Sequence, residues 1–201
     1  MKKLPITFYN RKDVVQIAQD LVGKIIVTNF DGVITSGRII ETEAYVAMID
    51  KASHAYGGRR TSRNEDMYAA PGTAYVYICY GMHQMFNVVT NEKNIADAVL
   101  IRAVEPLQGI EIMLKRTGKP ALDHSLTRGP GNVGKALGIF KHHSGTHLLE
   151  ESIYLMDDKY QVPVDKLGNG PRIGVASAGD DALLPYRFYL KGNPYVSGKR
   201  N

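Results

Sequence analysis

Two carboxylates and a tyrosine, Glu41, Glu43 and Tyr45, recur at every second position of residues 37–45. If that stretch is a β-strand, period-two alternation puts Ile39, Glu41, Glu43 and Tyr45 on one face. Arg38, Ile40, Thr42 and Ala44 then share the other. Such a face has two readings: a solvated strand face, as most patterned charges are, or a carboxylate held in a cleft for proton chemistry. A second candidate is Gly57-Gly58-Arg59-Arg60-Thr61-Ser62-Arg63-Asn64. Glycine-flanked and free of apolar residues, it reads either as a solvated loop or as one that meets phosphates with guanidinium, hydroxyl and backbone donors. The sequence Gly129-Pro130-Gly131-Asn132 should open a helix whose free N–H groups suit an anion. His142, His143 and His147 raise the question of a metal, but no cysteine or acidic ligand pattern accompanies them, and no metal is expected.

The elements that must position these residues follow from periodicity and turn signals. Asn10 should cap a helix carrying Val14, Ile17, Ala18 and Leu21, stopped by Gly23. Residues 24–29 and 33–45 read as strands joined by the Asp31-Gly32 turn, so the acidic stretch is the return half of a hairpin. Residues 48–64, with His54 and the arginines, read as a long loop with one helical turn, and loops this long in compact domains are usually functional or disordered. Strands are expected at 73–79, 85–90 and 98–104, antiparallel because their links are short, with Tyr80-Gly81 interrupting the first pair. Pro106 should open a helix running to Lys115, and residues 133–137 a short one. Residues 153–156, 172–175 and 185–190 look β-like, and 197–201 reads as a frayed tail. The expected fold class is mixed α/β (α+β): a single domain over residues 1–201, with a curved antiparallel β-sheet surrounded by short helices.

Composition narrows the function classes. The chain has 201 residues, 44% of them hydrophobic, enough for a large core. No apolar run is long enough to span a membrane, and the N-terminus lacks the apolar segment of a signal peptide. The one cysteine, Cys79, excludes an intramolecular disulfide framework and fits a reducing compartment. A net charge of +5 permits an anionic partner such as nucleic acid without requiring one.

Several blocks of residues then occur in a specific order: Arg38-Ile-Ile-Glu-Thr-Glu-Ala-Tyr45, His54, Gly57-Gly-Arg-Arg-Thr61, Pro71-Gly-Thr-Ala-Tyr-Val-Tyr-Ile-Cys-Tyr-Gly-Met82, Asn87, Ile101-Arg-Ala-Val-Glu-Pro106, Gly129-Pro130 and Arg187-Phe-Tyr-Leu-Lys-Gly-Asn-Pro-Tyr-Val-Ser197. Together they resemble the alkyladenine (3-methyladenine) DNA glycosylase family from residue 5 to residue 197, and ordered multi-residue blocks are far more specific than a lone motif. The resemblance implies a monofunctional hydrolase that flips alkylated or deaminated purines out of double-stranded DNA and cuts the N-glycosidic bond, leaving an abasic site. It implies Glu43 as the carboxylate that activates water and Arg102 as the group that helps to hold the water and the backbone at the lesion; Glu41, two residues back on the same face, reads as a neighbour held by a salt bridge or hydrogen bond to a nearby basic group. Tyr45, His54 and Tyr77 would form the base-stacking pocket, and Asn87 would clash with the exocyclic amine of guanine. Tyr80 would fill the hole left in the stack, with Met82 beside it; His83 stands where an aromatic residue is expected. Arg59, Arg60, Thr61 and Arg63, with Gly131 and Asn132 at the helix start, would take phosphates. No lysine is placed by these motifs as a Schiff-base nucleophile. No cofactor, no membrane partner and a monomeric state are expected, in the cytoplasm of a prokaryote or the nucleus of a eukaryote. Two rivals are a non-catalytic damage binder, against which Glu43 argues, and an RNA- or nucleoside-directed hydrolase.

Overall fold

The computed structural model describes residues 1–198. In chain order its elements are β1 (Lys2–Lys3), α1 (Ile6–Tyr9), α2 (Val14–Leu21), β2 (Ile25–Phe30), β3 (Val33–Tyr45), β4 (Ala74–Cys79), β5 (His83–Val89), β6 (Ala98–Gln108), α3 (Ile110–Thr117), α4 (Pro130–Leu137), β7 (Ile153–Asp157), β8 (Leu167–Gly170) and β9 (Arg187–Leu190). The strands form a nine-stranded sheet in the order β1-β7-β2-β3-β6-β5-β4, with β9 joining β3 and β8 joining β9. All pairs are antiparallel. The sheet curls into a half-barrel, and the fold is mixed α/β.

The long strand β3 is the axis of this sheet. It pairs with β6 along one side for nearly its whole length. On the other side it pairs with β2 up to Arg38 and with β9 from Glu41 to Glu43. The helix α2 lies against β3 and buries Val14, Ile17, Ala18 and Leu21. Val14, Ile17 and Leu21 each contribute about 1.5–3 kcal/mol on leaving water. Thr42 Oγ1 donates to the Ala18 carbonyl at 2.7 Å, tying strand to helix.

Three register shifts interrupt the β3–β6 ladder: one lies between Ser36 and Gly37, and two β-bulges follow in close succession. Ile39 faces Val104 and Glu41 faces Ala103, so Ile40 is an extra residue on β3; Thr42 then faces Ile101, so Arg102 is an extra residue on β6. At a bulge, two consecutive side chains turn to the same side. Ile39, Thr42 and Ala44 therefore face α2 and the main core, while Ile40 packs with Ala103 and Tyr195 on the opposite side. Strict alternation from 37 to 45 predicts Ile39 on the face of Glu41 and Glu43. The bulge at Ile40 puts it on the other.

Other expectations also shift. The α2 N-cap is Asp13, whose carboxylate accepts from the Gln16 N–H at 2.9 Å, while Asn10 ends α1. Pro106 does not open a helix: β6 continues through it opposite Gly37, and α3 begins after Gly109. Residues 172–175 are not a strand but an irregular loop. Ser197, expected in a frayed tail, is buried; residues 199–201 of that tail lie outside the described residues. No helix among the described residues is long and apolar enough to cross a membrane.

Candidate active site

Beyond the bulges the alternation resumes, and Glu41, Glu43 and Tyr45 share one face. Both carboxylates are fully buried, so the solvated-face reading fails. They are held differently. Glu41 Oε1 accepts from Arg187 Nε at 2.6 Å, Ser197 Oγ at 2.9 Å and Arg102 Nε at 3.3 Å, and its Oε2 accepts from the Ser197 N–H at 2.7 Å. Glu43 Oε1 accepts from the Ile173 N–H at 2.7 Å. Its Oε2 takes the Tyr45 hydroxyl at 2.8 Å and lies 3.1 Å from Arg102 Nη1. Two arginines thus compensate Glu41, whereas Glu43 shares Arg102 and otherwise meets neutral donors. Arg102 reaches both because it sits in the β6 bulge. Burial pushes the Tyr45 phenol well above its ordinary pKa, and the Glu43 charge adds to this, so Tyr45 stays protonated and donates a hydrogen bond to Glu43.

In front of Tyr45 opens a cavity of about 480 Å³, within the size range of small-molecule sites. Tyr45, His54, Tyr77 and Asn87 all line it, with Tyr75, Thr61, Arg59, Arg63, Cys79 and Lys51. His54 and Tyr77 meet edge to face at 4.6 Å between centroids, and Tyr75 stacks beside Tyr77 at 5.6 Å. His54 Nδ1 and the Tyr75 hydroxyl are 3.0 Å apart. Burial lowers the His54 pKa, helped by Arg63 and Arg59, so the imidazole is neutral at pH 7. Burial pushes Tyr77 up to about 12, with Cys79 and Glu43 adding to it. The Asn87 amide donates to the Tyr75 and Met85 carbonyls at 3.2 and 3.1 Å, which fixes its orientation.

The hairpin between β4 and β5 carries Tyr80 and Met82. The Met82 N–H closes the turn on the Cys79 carbonyl at 3.2 Å, and both central residues have positive φ, 50° at Tyr80 and 72° at Gly81. A tyrosine held left-handed costs about 1–2 kcal/mol, and it stands 87% exposed. The start of α4 lies beside this hairpin: a Cβ on Gly131 would come 2.6 Å from His83 Nδ1. His83 thus fills the space next to that helix end. Asn132 donates its side-chain amide to the Arg128 carbonyl at 2.9 Å.

The loop residues divide. Arg63 approaches the Tyr77 ring, at 5.9 Å, and Arg59 lines the cavity. Arg60 turns instead onto Glu65, with Nε to Oε2 at 2.9 Å, and stacks on Tyr68 at 4.6 Å. The Thr61 N–H and hydroxyl both donate to Asn64 Oδ1, at 2.7 and 3.0 Å, so Thr61 braces the loop. Among the described residues no group of three or more His, Cys, Asp or Glu side chains could hold a metal ion.

The profile of the Methylpurine-DNA glycosylase (MPG) family matches residues 7–194. The chain belongs to this family. It is a DNA glycosylase, a hydrolase of N-glycosyl bonds. Among its relatives is a Clostridium perfringens (strain 13 / Type A) protein named "Putative 3-methyladenine DNA glycosylase", 44% identical over 200 residues and covering 96% of this chain and 97% of its own. Proteins of the same name from Desulfitobacterium hafniense (strain Y51) and Chlamydia felis (strain Fe/C-56) are 41% and 44% identical, over 206 and 190 residues. They cover 99% and 93% of this chain, and 100% and 95% of their own length.

Several residues at the glycosylase's centre escape sequence reasoning. Tyr75 could have been found, since alternation along β4 puts it on the face of Tyr77. Arg187 and Ser197 belong to the C-terminal block, but nothing local shows that β9 folds back onto Glu41. Lys51 reaches the cavity wall although no motif marks it. The buried pair Asp50 and Arg172 is separated by 122 positions and carries no local signature.

Proposed function

We propose that this glycosylase removes 3-methyladenine and other alkylated or deaminated purines from duplex DNA by turning the nucleotide into the cavity. The observation that carries the reading is the junction of an aromatic cavity with a buried carboxylate–arginine pair, Tyr45 being common to both. The base would stack among Tyr45, His54 and Tyr77, with Asn87 fixed at the wall against a guanine amine, and Tyr80, with Met82, would occupy the vacated space in the stack. Arg59 and Arg63, with the N–H groups at Gly131 and Asn132, would take phosphates, while Arg60 and Thr61 stiffen the loop between them.

Excision breaks the bond between deoxyribose C1′ and the purine nitrogen. The electron pair leaves with the base, water adds to C1′, and the water proton passes to Glu43. The Glu43 charge also offsets the positive character that develops on the sugar, and Arg102 fixes the carboxylate. For water to reach Glu43 Oε2, one of its donors must withdraw. The Tyr45 hydroxyl is neutral and Arg102 is charged, so the exchange of Tyr45 for water costs less. A cationic alkylpurine leaves as a neutral base; a deaminated purine needs a proton on its ring. Lys51 is exposed at the cavity wall, and the reading is hydrolysis without strand cleavage.

The test is a panel of duplexes carrying single lesions, assayed under single turnover for released base, with strand cleavage measured before and after alkali. Base release from alkylated duplex with strands intact until alkali is expected. Glu43→Gln should lower the rate by about 10²–10⁴-fold. Wild-type release by that variant, or no release from any lesion duplex by the wild type, refutes the reading.

A further inference from the structure

Arg172 has no part in the chemistry above, yet its side chain and that of Asp50 have no exposed surface. The guanidinium forks onto the Asp50 carboxylate, Nη1 to Oδ2 and Nη2 to Oδ1, the latter at 2.7 Å. Nη1 also donates to the Ala44 carbonyl at 2.9 Å and Nη2 to the Asp181 carbonyl at 3.0 Å. Replacing a buried pair by apolar residues is often neutral or stabilising, so stability alone does not account for this one.

What the pair holds is geometry. Ala44 is the β3 residue between Glu43 and Tyr45. Ile173, next to Arg172, gives its N–H to Glu43 Oε1 at 2.7 Å. Asp50 accepts from the Ala52 N–H at 3.0 Å and the Val46 N–H at 3.4 Å, shaping the segment that brings His54 to the cavity. The Lys51 N–H donates to Asp181 Oδ2 at 2.8 Å, closing the same loop onto residues 172–181. The guanidinium also lies over the Tyr45 ring, 4.8 Å from its centroid, and over Tyr186 at 5.3 Å. Tyr45 lines the cavity and Arg172 does not, so the cation supports the ring without itself lining the cavity. Burial opposes the Arg172 charge, but Asp50, Tyr45 and Glu43 together hold its pKa above the ordinary value; the clamp stays charged.

We propose that Arg172, clamped by Asp50, is a positioning residue for base excision: it fixes the Ile173 N–H that orients Glu43 and backs the tyrosine on which the base stacks. The inference rests on Glu43 being the base. A charge-neutral pair, Arg172→Gln with Asp50→Asn, removes the clamp without leaving an unpaired buried charge. It should lower the single-turnover rate on an alkylated duplex by about tenfold or more, with the Kd for the same duplex changed less than about threefold. Arg172→Lys keeps the charge but not the fork and should not restore the rate. If the double variant does not fold, Asp50→Asn alone, measured per folded molecule, should show the same split between rate and Kd. Equal losses of rate and affinity, an unchanged rate, or full rescue by lysine overturns the positioning role. Glu43→Gln is measured alongside: a full rate there sinks the base assignment, whereas full-rate Arg172 variants beside an inactive Glu43→Gln sink the positioning role alone.

Discussion

Replacing Glu41 by glutamine removes one negative charge and no volume. Glu41 is fully buried and accepts from Arg102, Arg187 and twice from Ser197. Arg102 keeps Glu43, but the remaining partner of Arg187 among these groups is the Ser197 carbonyl, at 2.7 Å. The substitution therefore strands one mostly buried guanidinium, and breaking a buried pair in this way costs about 3–5 kcal/mol. For a chain of this length each kcal/mol lowers Tm by about 2–4 °C, so a drop of about 6–20 °C is expected. Thermal melts followed by circular dichroism, with urea titration as a second measure, read it directly. Below the transition, excision per folded molecule should stay within about tenfold of wild type, in contrast to Glu43→Gln. A Tm drop under about 3 °C would show that Arg187 and Ser197 do not depend on the charge, and the division of labour between the carboxylates would be wrong.

Tyr80→Gly removes the exposed ring and the strained φ together; Tm should hold or rise, while affinity for a lesion duplex falls by about 5–150-fold, the worth of one aromatic stack. An unchanged 2-aminopurine flipping signal would reject the wedge. Arg59→Ala or Arg63→Ala should each reduce the slope of log K against log salt by about 1, whereas Arg60→Ala, whose side chain is committed to Glu65, should leave it unaltered. His54 titrates below 6.5 in the fold because it is buried, so the unfolded chain takes up this proton first. Its contribution to stability is full above pH 6.5 and is lost as pH falls from there toward the folded pKa. Tm of His54→Gln should decline less steeply with acidification than wild type, and equal slopes would refute this. Tyr45→Phe keeps the stacking ring and frees Glu43 Oε2, so excision should stay within about fivefold of wild type; a loss as large as that of Glu43→Gln would make the hydroxyl essential.

Much of the framework is legible in the sequence because its signals are local. The Asp31-Gly32 turn, with φ of 54° and 81°, joins β2 to the 13-residue β3 as expected, and Tyr80-Gly81 marks the next hairpin. Asn10 misleads as a cap because α1 ends there and Asp13, three residues on, does the capping. Pro106 misleads because a proline can stand in a strand where the ladder is irregular, and β6 is irregular opposite Gly37. The candidate site is legible as a list of residue types but not as an assembly. Tyr45, His54, Tyr77 and Asn87 converge on one cavity through the sheet's curvature, and Arg187, Ser197, Asp50 and Arg172 arrive from distant segments that periodicity cannot join.

The paired bulges at Ile40 and Arg102 amount to a phase slip that cancels itself. Each strand gains one residue, so the ladder beyond them is back in step, yet both chains have changed which side they show. One uninterrupted strand can thus keep Ile39, Thr42 and Ala44 on the core side while Ile40, Glu41, Glu43 and Tyr45 take the other. The arrangement ties chemistry to counting: loss of one residue at Ile40 would turn Glu41, Glu43 and Tyr45 together toward the apolar layer beneath α2. The segment from Gly37 to Tyr45 therefore behaves as a ruler whose divisions cannot be moved one at a time.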